Sequence, residues 1–120
     1  MSVISFADII AGDQSYLRTK TVDVKTQQDG KEAVMTFQIY ELPAEDLWSI
    51  VDRCADTENP ADEDFFVGCL VRFLAGPQHK VTDDDIAKLK TKLGKEVIDE
   101  LYLAGMRFND SLEASDAAKK

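Results

Sequence analysis

Apolar and polar residues alternate in two stretches near the start of the chain, and the spacing turns helical after residue 43. In the first stretch Val22 and Val24 alternate with Asp23 and Lys25, and Thr19 and Thr21 suit a strand. The second, AVMTFQIYE at 33–41, sets Met35, Phe37 and Ile39 on one face and Val34, Thr36, Gln38 and Tyr40 on the other. Between them QQDGKE carries Asp29-Gly30, a strong two-residue hairpin signal. The pattern predicts an antiparallel β-hairpin within residues 17–41. A hairpin alone is marginal in water, so it must lie on helices or pair with another strand. Ahead of it, FADIIAG at 6–12 reads as a short helical turn ended by Gly12.

Pro43 opens the helical part, with Glu45 and Asp46 complementing the positive end of a helix dipole. Leu47, Trp48, Ile50, Val51 and Cys54 give this helix an apolar side, and DTENP at 56–60 breaks it. Asn59 is the expected cap of the next helix, with Pro60 in its first turn. That helix carries Phe65, Phe66, Val67, Leu70, Val71, Phe73 and Leu74, apolar nearly all round, and is the expected central helix. Gly76-Pro77 stops it. Thr82 opens another, with Asp85 in the reciprocal position of a capping box. Ile86, Leu89 and Leu93 follow at helical spacing, and Gly94 ends or bends the helix.

The last helical stretch, LGKEVIDELYLAGMRFND at 93–110, is apolar over too much of its circumference. At roughly 100° per residue, Val97, Ile98, Leu101, Tyr102, Ala104, Met106 and Phe108 cover an arc of about 200°. A helix on one core shows a stripe of about 100° or a little more. Leu103 falls on the opposite side, among Glu96, Asp99, Glu100 and Arg107. Either the helix is covered on all sides by its own chain, or part of its apolar surface is meant for another one.

These elements predict an α+β fold: one N-terminal antiparallel hairpin packed on a bundle of about four α-helices. A single domain is expected over 1–112, with a polar, flexible tail over 113–120. The chain has 120 residues, enough for a hydrophobic core without staples. No apolar run approaches the ~20 residues of a membrane helix, and the N-terminus lacks the features of a secretory signal, so a cytoplasmic protein is expected.

Charge narrows the function further. Asp and Glu number 23 against 14 Lys and Arg, a net charge of -9. Phosphate repels such a surface, so nucleic acid is not the expected partner. Basic or apolar proteins are.

Catalytic chemistry is hard to find. Asp83, Asp84 and Asp85 lack the alternate spacing, glycine and late glutamate of a calcium loop, and acids at a helix start are ordinary. Asp62, Glu63 and Asp64 read the same way. His79 stands in a PQHK connector without a nucleophile signature. Cys54 and Cys69 lie in apolar contexts and read as buried free thiols, and with one distant histidine they make no zinc spacing. Trp48, Phe65, Phe66 and Phe73 read as core aromatics. No enzymatic activity, cofactor or metal is expected.

The order of features resembles the tail assembly chaperones of long, non-contractile-tailed bacteriophages. The resemblance runs from VDVKTQQDGKEAVMTFQIYELPAEDLWSIV through FFVGCLVRFLAG to VTDDDIAKLKTKLGKEVIDELYLAGMRFND, about residues 16–110. It is one of layout and texture, without an invariant motif, so no residue role is carried over. It implies an acidic cytoplasmic protein that coats the apolar, helical tape measure protein and keeps it soluble. It also implies recruitment of the tail tube protein, departure before the virion is complete, and self-association. Ribosomal frameshifting extends many such chaperones, and Ala118-Lys119-Lys120 suits a run of adenines on which ribosomes slip. With the wide arc, this makes Leu103, Met106, Phe108 and Tyr102 the expected contact residues. The competing readings are a small acidic adaptor, such as an antitoxin-like partner of a basic protein, and a subunit of an enzyme whose chemistry lies in another chain.

Overall fold

A computed structural model describes residues 5–11 and 17–109. The expected tail over 113–120 and the stop at Gly12 lie outside the described residues. Helix α1 (Phe6–Ala11) precedes strands β1 (Thr19–Gln28) and β2 (Lys31–Tyr40). Helices α2 (Ala44–Cys54), α3 (Glu63–Ala75), α4 (Asp83–Lys92) and α5 (Lys95–Asn109) follow. The architecture is α+β, an antiparallel hairpin packed on a helical bundle, as the spacing predicts.

The two strands pair in register from Thr19 opposite Tyr40 to Gln28 opposite Lys31. Asp29 and Gly30 alone make the turn, both at positive φ (54° and 76°). That is the type I′ geometry whose twist matches that of paired strands. The period of two then decides the faces. Val22 stands opposite Phe37 and Val24 opposite Met35, all turned toward the helices, with Val24 and Ile39 fully buried. On the outer face Thr36 donates to Asp23 across the strands (2.7 Å). Arg18 closes the open end: its backbone N–H and its Nε donate to Glu41 Oε1, and its Nη2 donates to Oε2 at 2.7 Å.

Helix α3 is central. It packs on α5, α4 and β2, and contributes Val67, Cys69, Leu70, Val71 and Phe73 to the core. Leu42, Ile50, Val97 and Leu101 complete that core from the other elements. Asp62, not Asn59, caps α3: its carboxylate accepts from the Phe65 N–H (2.9 Å). Asn59 belongs to the preceding turn, where its N–H donates to Asp56 and its carbonyl accepts from Arg53. Thr82 and Asp85 form the expected capping box at the start of α4. Leu93 and Gly94 separate α4 from α5, and the Gly94 carbonyl accepts from Ile98 in the first turn of α5.

Helix α2 departs from expectation. Ile50 is buried and Leu47 half-buried, but Trp48 is 68% exposed and Val51 and Cys54 are exposed as well. The helix lies at the margin of the bundle, and one stripe of it suffices to cover the core. Trp48 is therefore not a core aromatic, and of the two thiols only Cys69 is buried; both are free.

Asn109 is the one buried polar side chain among the described residues. Its Oδ1 accepts from the Leu42 N–H (2.6 Å), and its Nδ2 donates to the carbonyls of Gly105 (2.8 Å) and Tyr40 (3.3 Å). One amide thus ties the end of α5 to the corner between β2 and α2.

Candidate binding groove

The wide apolar arc of α5 divides into parts with different neighbours. Val97, Leu101, Gly105 and Asn109, four residues apart, form the buried stripe against α3 and β1. Met106 is half-buried and packs on the core cluster. Phe108 lies on the hairpin side, with the Arg18 guanidinium 4.9 Å from its ring centroid and Lys20 at 6.0 Å. Ile98 and Tyr102 turn the other way, and Leu103 stands beside them, 49% exposed. Most of the arc is thus owed to the chain's own fold.

What is left over borders an open groove of about 570 Å³ between α3, α4 and α5. Phe66 and Val67 come from α3, Leu93 from the end of α4, and Ile98, Tyr102 and Leu103 from α5. Phe66 meets the Tyr102 ring edge-on at 5.2 Å, a geometry in which ring edge and face attract. The Tyr102 hydroxyl reaches the Cys54 sulfur at 3.8 Å. Burial, then that contact, raises the phenol's pKa well above its ordinary value.

Ion pairs line the rim. Lys90 Nζ donates to Asp64 Oδ1 (2.7 Å) and Glu63 Oε1 (3.2 Å), and Lys95 Nζ to Asp99 Oδ2 (2.7 Å). Donating to Asp64 and Glu63 raises the pKa of Lys90, and donating to Asp99 raises that of Lys95. Both lysines are exposed, so these pairs add little stability. They do frame an apolar slot with charge of both signs.

Tyr102 and Leu103 therefore share the groove, whereas Met106 packs on the core cluster and Phe108 lies on the hairpin side, so the four expected contact residues point to different sides of α5. Phe66, Leu93 and Ile98 are groove residues that sequence spacing alone does not single out, because three helices supply them. The groove is of a size that accepts apolar side chains, and the carboxylates and ammonium groups on its rim, Glu63, Asp99, Lys90 and Lys95, are taken up in the ion pairs described above.

Other features carry less. His79 Nε2 lies 2.8 Å from Asp85 Oδ2, which also accepts from the Thr82 N–H. That histidine fastens the connector to the start of α4. Among the described residues no group of three or more His, Cys, Asp or Glu side chains is placed to hold a metal. None of the described helices is long and apolar enough to cross a membrane. Compared with known proteins, the chain matches no family model, no curated protein and no solved structure.

Proposed function

We propose that this protein is a tail assembly chaperone of a long-tailed, non-contractile bacteriophage. In this reading it works in the host cytoplasm, binds the tape measure protein, keeps it soluble and helps to recruit tail tube subunits. It self-associates, performs no chemistry, does not bind nucleic acid, and is absent from the mature virion. The observation that carries the reading is the groove between α3, α4 and α5, apolar along its floor and open along Leu103. A helical client offers apolar side chains at i, i+3, i+4 and i+7, and such a slot takes them in the helix-in-groove mode. The net charge of -9 keeps the carrier in solution while it holds an apolar client.

Co-expression tests it. The tape measure protein is expected in the soluble fraction with this chain and in the insoluble fraction without it. A client equally insoluble in both overturns the proposal. The charge also supports a second reading, an acidic adaptor for a basic protein. Binding would then weaken steeply with salt, whereas groove-driven binding would survive it.

A further inference from the structure

Helix α1 is the one helix of the described chain in which every residue is exposed. It is nevertheless a formed helix with a closed N-terminus. The Ser5 hydroxyl accepts from the Asp8 N–H (3.1 Å), and the Asp8 carboxylate accepts from the Ser5 N–H (3.3 Å), a reciprocal capping box. Asp8 is its only charged residue, and that carboxylate is engaged at the cap. Phe6, Ile9 and Ile10, at i, i+3 and i+4, share one face and are 78%, 50% and 68% exposed. Among the described residues there is thus an apolar helix without a groove and an apolar groove without a helix.

We infer that α1 of one copy docks in the groove between α3, α4 and α5 of a second copy, and that the exchange is reciprocal. The inference builds on the proposed helix-binding role of that groove and names the occupant it has when no client is present. A second copy is favoured over the same chain because the described residues of the domain leave its own α1 uncovered. Size favours reciprocity. A buried aromatic contributes roughly 150–250 Å², and an isoleucine about 100 Å² at the usual 25 cal/mol per Å². The exposed parts of Phe6, Ile9 and Ile10 then amount to about 250–300 Å². One insertion, counted on both partners, buries roughly 500–600 Å², well short of a specific interface. Two reciprocal insertions reach about 1,000–1,200 Å², the lower end of that class. A weak dimer follows, in which α1 is readily displaced by a longer client helix. Two chains of charge -9 repel, so association is expected to strengthen with salt through screening.

Disulfide trapping on the purified full chain tests this without any client. Two variants are made in a Cys54→Ser background, one with Ile10→Cys and one with Leu103→Cys; both positions are exposed, and Cys69 is buried. Matching thermal melts confirm that each folds. Mixed and mildly oxidised, they are expected to give the mixed disulfide in several-fold excess over either like pair, and to lose that excess when Phe6→Asp is added to the Ile10→Cys chain. Random proportions overturn the inference. So does a chain carrying both cysteines that closes on itself at monomer mass, which would place α1 in its own groove. Client solubility is read separately, so failure of trapping with a soluble client sinks the exchange alone, and successful trapping with an insoluble client sinks the chaperone reading alone.

Discussion

The ring of Phe73 lies across Gly105, so close that a Cβ at position 105 would stand 2.3 Å from its Cδ2. This is where α3 and α5 approach each other, and the missing side chain permits it. Phe73 is fully buried and cannot swing away. Gly105→Ala is therefore a contest. Helix propensity favours alanine by roughly 0.5–1 kcal/mol, while overpacking a tight core costs about 1–3 kcal/mol. Overpacking is expected to win, lowering the melting temperature by several degrees. An unchanged or raised midpoint would show that the two helices can part freely.

Asn109 gives a second prediction. Asn109→Ala leaves the buried Leu42 N–H without its partner and is expected to cost about 1–3 kcal/mol in denaturant unfolding. Asn109→Asp keeps that acceptor but turns an oxygen toward the carbonyls of Gly105 and Tyr40, and is expected to be no better. Wild-type stability in both variants would mean that the amide merely fills space.

Acid sensitivity follows from two carboxylates. Hydrogen bonding from Arg18 holds Glu41 below its ordinary value of 4.5, against partial burial. Hydrogen bonds from His79 and then the Thr82 backbone hold Asp85 below 3.8. For a depressed carboxyl the folded state binds its proton less readily than the unfolded state. The stabilisation is therefore fully present above those ordinary values and lost as pH falls through the lowered ones. Melting should vary little on this account between pH 7 and 5 and fall below about pH 4, less steeply in Glu41→Gln. A variant with the full wild-type slope would remove Glu41 from the explanation.

The thiols can be counted. Cys54 is exposed, while burial pushes the Cys69 thiol up to about 12. A thiol reagent at neutral pH is expected to modify one cysteine per chain rapidly and the second only on unfolding. Two fast reactions would contradict the core position of Cys69.

The hairpin was legible because its signals are local: Asp29-Gly30 sets the turn, and a period of two then decides every face. The Thr82–Asp85 cap was legible for the same reason. Asn59 misled because another local hydrogen-bonding pattern, the turn around Asp56, claims it, and Asp62 stands three residues nearer the helix. Trp48 and Val51 misled because helical spacing marks a face as apolar without saying whether the fold covers it. The groove was only half legible. Leu103 stood out against its charged neighbours, but Phe66, Leu93 and Ile98 join it through packing among three helices, which the periodicity of one helix does not encode. Gly105 and Asn109 gave no signal, since a close approach and a buried amide depend on what lies opposite.

Leu103→Asp tests client binding in the groove most directly, measured on one protein by thermal melting and by solubility of the co-expressed tape measure protein. Leu103 is half exposed, so the substitution is expected to change stability by no more than roughly 0.5 kcal/mol, even with an acid placed four residues after Asp99. An acid at the lip of the groove should nonetheless weaken a helical client roughly tenfold or more, the scale of one lost buried leucine at about 1.5–3 kcal/mol. The variant is expected to melt like the wild type and to leave the client insoluble. A variant that melts like the wild type and still holds the client in solution would contradict client binding in the groove.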